Sequence, residues 1–152
     1  MTLRFEPLDP DFAERGRRSF ARATMLATIG AELARIECGA VDLALPVAAH
    51  IRQQHGFVHA GAVATLADTA CGYAALTLMP AGAGVLTVEF KMNMMAPATG
   101  DRLVARGRVV KAGRTLVVTQ AEIVAEAAGT ERLVALMTAT MMTIENRDGI
   151  SD

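Results

Sequence analysis

Hydrophobic and polar residues change rhythm along this chain, and each change predicts an element. From Ala31 to Pro46 they alternate about Gly39, with Glu32, Arg35 and Glu37 before it and Val41, Leu43 and Leu45 set against Asp42 after it. A period of two broken by a turn glycine predicts two strands, the second ended by Pro46. The rhythm is lost from Ala48 to Phe57, a polar loop that holds His50 and His55. From His59 to about Leu78 alanine-rich helix formers run without a polar face until Pro80 stops them. A helix that is apolar on all sides belongs inside a protein.

Four strands follow at regular spacing. Val85 to Met95 alternates Val88, Phe90, Met92 and Met94 on one face with Thr87, Glu89, Lys91 and Asn93 on the other. Pro97 and Gly100-Asp101 mark a turn, after which Arg102, Arg106 and Arg108 alternate with Leu103, Ala105, Gly107 and Val109. Lys111-Ala112-Gly113-Arg114 predicts a hairpin turn, Leu116 to Glu126 a strand, Ala128-Gly129 a turn and Arg132 to Ile144 a last strand. That strand is apolar on both faces, which suits a central or interface position. Ahead of all this, Asp11 to about Met25 predicts a surface helix, with Arg15, Arg17, Arg18 and Arg22 as its solvated face. The stretch from Asn146 predicts a polar, frayed tail.

No alternation of strand and helix is present to build a parallel sheet, so the fold class is α+β. The expected architecture is a curved antiparallel sheet of five to six strands wrapped around a long central helix. It divides into an N-terminal helical extension at 1–25, one domain at 26–146 and a polar tail at 147–152.

Composition narrows the function more than the fold. At 152 residues and 52% hydrophobic the chain is long and apolar enough for one full core. Fifteen basic against sixteen acidic residues leave a net charge of −1, without the basic excess of a dedicated nucleic-acid binder. Cys38 and Cys71 show no CxxC spacing, so reduced thiols in a cytoplasmic protein are expected rather than a disulfide scaffold or zinc ribbon. The N-terminus carries acids and prolines in place of a signal-peptide pattern. The apolar run Val58 to Met79 is long enough for a membrane span, but Asp68 at its centre and the lack of basic flanks favour a helix enclosed by protein.

GxSxG, GxxxxGK, GxGxxG and HExxH are all absent. What remains is one charge in an apolar setting: between Gly56 and Val88, Asp68 is the only Asp, Glu, Lys or Arg. No cation lies at i±3 or i±4, so Asp68 either meets a distant arginine or caps something, or it is held in a cleft for nucleophilic or general-base work. The second feature is the loop Gln53 to Gly61, which opens directly onto the long helix. First-turn amides there have no helical partner and carry the positive end of the macrodipole, so Ala60 and Gly61 are candidate oxyanion donors, or simply an ordinary helix start. Asp68 follows Ala60 by eight residues, about 12 Å of helix at 1.5 Å per residue. One carbonyl cannot touch both. If both are catalytic, the site joins the helix start of one subunit to Asp68 of another, which requires a homodimer.

The run VHAGAVATLADTACG at 58–72 resembles the HGG-x6-D pattern of hot-dog-fold acyl-CoA thioesterases of the phenylacetate-degradation (PaaI-type) family. The similarity extends to F-x-x-x-M-x-x-P ending at Pro97 and to K-x-G-R-T-L at 111–116, with matching element order from about 24 to 145. The resemblance implies a hot-dog fold, a homodimer or dimer of dimers, and hydrolysis of an acyl-CoA to a carboxylic acid and coenzyme A. No separate cofactor or metal is implied, since coenzyme A enters as part of the substrate, and neither a nucleic-acid nor a membrane partner is expected. Asp68 would attack the thioester or activate water, Ala60 and Gly61 would hold the oxyanion, and His59 would shape the loop near the sulfur. Gln53 stands where the family often has asparagine, and Thr87 where a hydroxyl assists the second half-reaction. Lys111, Gly113 and Arg114 match the turn beside the nucleotide of coenzyme A. The chain departs from the pattern at Ala60, in place of the first glycine, and at Gln53.

Rival expectations are a non-catalytic acyl-CoA sensor and, with less support from the loop pattern, an acyl-thioester hydratase or dehydratase. His50, His55 and His59 as zinc ligands lack a clustered fourth partner. The methionines Met92, Met94, Met95, Met137, Met141 and Met142 suit an adaptable core or an acyl pocket.

Overall fold

A computed structural model describes residues 5–152. The elements in chain order are α1 (Phe12–Arg22), α2 (Thr24–Ile29), β1 (Glu32–Glu37), β2 (Ala40–Pro46), a 3-10 turn (Ala49–Ile51), α3 (Ala60–Leu76), β3 (Gly84–Met94), β4 (Arg102–Ala112), β5 (Leu116–Ala127) and β6 (Thr130–Ile144). The strands form one six-stranded sheet in the order β1-β2-β4-β5-β6-β3, every pairing antiparallel. The sheet wraps around α3, as its apolar circumference predicts. Leu66, Ala67, Ala70, Cys71 and Ala74 are fully buried on the helix, facing Leu43, Leu103, Ala105 and Ile123 of the sheet, likewise fully buried.

Small residues set how closely helix and sheet approach. A Cβ on Gly107 of β4 would lie 2.3 Å from the Ala70 carbonyl oxygen. The backbone of α3 therefore rests almost directly on β4, which explains why so few aromatic side chains fill this core. Gly39, at φ +75°, makes the β1–β2 turn, and its amide donates to Thr77 Oγ1 at 2.8 Å, tying that hairpin to the end of α3.

Several expectations are corrected here. The N-terminal helix is two helices, broken at Ala23 (φ −78°, ψ 90°). Its arginines are not all solvated: Arg15 is 3% exposed, because one face of α1 lies on the end of α3. The Arg15 guanidinium pairs with Asp9 at 3.3 Å and donates to the carbonyls of Pro80, Leu76 and Met79 at 2.5, 2.8 and 2.9 Å. The Leu76 and Pro80 carbonyls also accept the amides of Met79 and Ala83, so the buried cation adds to these turns and sits at the negative end of the α3 dipole. Nor is the tail frayed, since Asp152 accepts a hydrogen bond from Ser19 and lies 3.5 Å from Arg22. Lys111 belongs to β4, leaving 113–115 as the hairpin turn.

The β6 strand sits between β5 and β3, so the apolar edge falls to β3. There Leu86, Val88, Phe90 and Met94, with Met95 just beyond, stand 45–55% exposed. An open strand edge of eleven residues with such side chains is a surface that needs cover.

Gly107→Ala is expected to destabilise the fold by about 2–3 kcal/mol, since the clash is with backbone and cannot be relieved by a rotamer change. The midpoint of urea unfolding compared with wild type measures this; an unchanged midpoint would mean that α3 does not lie this close to β4.

Candidate active site

The acid anticipated from the sequence lies on the side of α3 that turns away from the sheet centre toward β3. Asp68 is half-buried, and Thr87 Oγ1 donates to its Oδ1 at 2.8 Å. Unbroken alternation would have put Thr87 with Glu89, Lys91 and Asn93 on the outer face. The register with β6 shifts between Thr87 and Glu89, leaving Val88 as the extra residue of a bulge. Thr87 then pairs with buried Met141 and faces α3, whereas Glu89 pairs with Thr140 and accepts its hydroxyl proton on the outer face. A bulge that re-aims one side chain is a recurrent device beside functional sites.

Among the described residues, no ion pair involves Asp68. Burial raises its pKa above the usual carboxylate range, and the hydrogen bond from Thr87 offsets part of that rise. The carboxyl opens into a cleft of about 370 Å³, walled by α1, α2, α3 and β3 and reached by Ser19, Met25, Gly72, Tyr73 and Asp152. Sequence reasoning missed these wall residues. Only Gly72, a glycine inside an alanine-rich helix, carried a signal.

The start of α3 forms a second cleft of about 540 Å³, walled by Gln53, Phe57, His59, Ala60, Met94 and Met95 among others. The two clefts share no residue. His59 is the N-cap (φ −61°, ψ 136°), and its Nδ1 accepts from the Gly61 amide at 2.8 Å. An accepting Nδ1 assigns the ring proton to Nε2. The amides of Ala62 and Val63 both turn back to the His59 carbonyl. Gly61 is thus not a free donor, contrary to expectation, and Ala60 is the first-turn amide with no partner among the described residues. The Gln53 carboxamide oxygen is engaged by the His55 amide within its own turn.

Structure therefore unites Asp68 with Thr87, and Gln53 with His59 and Ala60, but keeps the two groups at separate clefts. Lys111, Gly113 and Arg114 are exposed and line neither cleft. Gly113 is required by the hairpin, since a Cβ there would lie 2.5 Å from the Leu116 carbonyl oxygen.

Comparison with known proteins agrees with this fold. Residues 55–131 match the model of the Thioesterase superfamily. A solved thioesterase family protein from Silicibacter pomeroyi is 50% identical, covering 88% of this chain and 98% of its own, with a TM-score of 0.86. The E. coli PaaI protein from the phenylacetic acid degradation operon shares the fold at 22% identity, covering 91% of this chain and 96% of its own, with a TM-score of 0.81. The proofreading thioesterase EntH of Klebsiella pneumoniae is 30% identical over 60% of this chain. The chain spans 66% of that protein's length, and 48% of a curated relative from Halobacterium salinarum. The protein is a hot-dog-fold chain with a carboxylate cleft on its central helix. It belongs to the Thioesterase superfamily, with a PaaI-like structure.

The raised pKa has a consequence for stability. Asp68 keeps its proton to higher pH when folded than when unfolded, so its contribution is fully present below the unfolded carboxylate range. It is lost as pH rises through the raised value. Asp68→Asn, which retains a partner for Thr87 and carries no charge, is expected to melt above wild type at about pH 7, with the gap closing toward about pH 4. Thermal unfolding across that range checks it; a gap independent of pH would remove the desolvated carboxylate.

Proposed function

We propose that the chain hydrolyses an acyl-CoA thioester to a carboxylic acid and coenzyme A, in a site built by two copies. Asp68 and Thr87 come from one copy, and Ala60, His59 and Gln53 from its partner. The single observation that carries this is Asp68 itself, a half-buried carboxylate with no cation partner among the described residues, held by one hydroxyl in a cleft. A site that is only a fold feature has no reason to keep an ionisable group under such desolvation.

Asp68 takes the proton of a water as the water oxygen adds to the thioester carbonyl, or attacks that carbon directly to leave a mixed anhydride that a water then cleaves to the free acid and the restored carboxylate, with Thr87 orienting the carboxylate. The carbonyl oxygen gains negative charge and faces the Ala60 amide at the positive end of the partner's α3. Collapse of the tetrahedral species breaks the carbon–sulfur bond. The sulfur leaves as thiolate, takes up a proton and departs as coenzyme A. His59 Nε2–H is positioned to donate beside the leaving sulfur, and Gln53 to hold water or substrate once its carboxamide leaves its own turn. Lys111 and Arg114 supply positive charge for the nucleotide phosphates at the β4–β5 turn, whose Gly113 lets the chain reverse there.

Support for the dimer comes from two features. The helix start and Asp68 stand about 12 Å apart along one rigid helix, so a single copy cannot bring both to one carbonyl. The open edge of β3 offers an apolar surface on which a two-fold mate can pair. A dimer of dimers is the further assembly expected, in a reducing cytoplasm where Cys38 and Cys71 remain thiols.

Two variants test the shared site. Asp68→Asn is expected to lower thiol release by about 10²–10⁴-fold. Ala60→Pro removes the amide proton at the first helical position, where proline fits, and is expected to lower it by about 10²–10³-fold. Unfolded and refolded together, the two inactive proteins should recover about one quarter of wild-type activity, since a mixed pair holds one intact site. Mixtures as inactive as their parents would place the whole site in one copy.

A further inference from the structure

Gly72 is the glycine that the packing of α3 does not explain. It sits in the middle of the helix with ordinary right-handed backbone angles, a position where glycine is less favourable than alanine. Its neighbours Ala70, Cys71, Ala74 and Ala75 are fully buried against other atoms. Gly72 is buried too, yet a Cβ built on it would meet no atom within 4 Å. The empty space before it is the Asp68 cleft. Gly72 follows Asp68 by one helical turn, on the same face.

The same cleft is closed at its far end by polar groups. Ser19 donates to the Asp152 carboxylate, which also faces Arg22 at 3.5 Å. Ser19 has a single hydroxyl proton and it is used there, so its 3.1 Å contact with Tyr73 is donated by the Tyr73 hydroxyl. Tyr73 is anchored in turn by its ring, 5.9 Å from that of Phe20. Ala23, Met25 and Leu26 form the apolar side wall between Asp68 and this end.

Resting on the proposal that Asp68 is the catalytic carboxylate, we infer that this cleft is a measuring pocket for uncharged, medium-length acyl groups. Gly72, one turn beyond Asp68, keeps the path along the helix open, and the Ser19–Tyr73–Asp152 cluster closes its far end. Asp68 and Tyr73 are five residues apart, about 7.5 Å along the helix, which is room for a short hydrocarbon chain. A longer chain would have to bury the Asp152 carboxylate and two hydroxyls against methylenes without replacing their solvent. An acyl group ending in a carboxylate would meet two acids in one cleft, Asp68 and Asp152.

The test uses a straight-chain acyl-CoA series from acetyl to palmitoyl, with carboxylate-ended acyl-CoAs of matching length beside it, read as kcat/KM by thiol release. The matching thioether analogues, which cannot be hydrolysed, are read as Kd by calorimetry. Wild type should peak at medium length and fall at least tenfold by palmitoyl in both readouts. Gly72→Ala should raise Tm by about 2–4 °C, because it removes a helix-interior glycine, and should move the optimum to shorter chains. Asp152→Ala, which opens the polar end, should move it to longer ones. A role in stability alone could not shift the optimum in opposite directions. An optimum unmoved by either variant, or wild type preferring palmitoyl or a carboxylate-ended chain, would overturn the measuring pocket. Length-selective binding of the thioethers without any hydrolysis would instead overturn catalysis by Asp68 while sustaining the pocket.

Discussion

The structure depends on how near α3 comes to the sheet. At Gly107 the sheet backbone and the Ala70 carbonyl are separated by less than any side chain would permit. This proximity lets a helix of small residues be enclosed on several sides at once. It also decides which part of the helix is left over. Positions turned toward β4 and β5 are sealed, whereas the side turned toward α1, α2 and β3 retains a gap, and Asp68 stands in it. A carboxylate at Ala67 or Ala70 would have been buried in a dry core without partners, at a prohibitive desolvation cost. One residue's rotation about the helix separates a usable acid from an intolerable one.

Arg15 shows a second way in which the chain spends polarity inside itself. Three carbonyls converge at the end of α3, and the guanidinium, with its several donors, is suited to collect all of them, including the Met79 carbonyl that the backbone turns leave over. Asp9 offsets part of its desolvation, which still lowers the guanidinium pKa. Through this contact the N-terminal helices become a wall of the Asp68 cleft rather than an appendage, and Ser19 is carried to Tyr73. Anchoring of the helix end and shaping of the cleft are thus one piece of construction.

Much of this was legible in the sequence, for definite reasons. Strand order of appearance, the turns at Gly39 and Gly113, and the enclosed helix follow from period, glycine and proline, which act locally. Asp68 was legible because a lone charge in a long apolar stretch is expensive. Arg15, Gly16 and Ser19 form the buried face of α1, and this was not legible because arginine is so rarely buried that its residue type argued for solvent. The engagement of the Gly61 amide by His59 depends on a rotamer, and rotamers leave no pattern in a sequence. The inward turn of Thr87 depends on a register shift, which alternation alone cannot announce.

That register shift carries an evolutionary implication. Since side chains in a strand swap faces with every residue, Thr87 and Glu89 look to opposite sides only because the bulge sets two residues of β3 against one of β6. Losing Val88 would set Thr87 and Glu89 side by side, still opposite Met141 and Thr140, and both would keep their faces, whereas losing a residue on either side of the bulge would turn that part of the strand over. The bulge therefore takes up a one-residue difference in length between β3 and its neighbour without disturbing the site, which gives the strand slack at this one place.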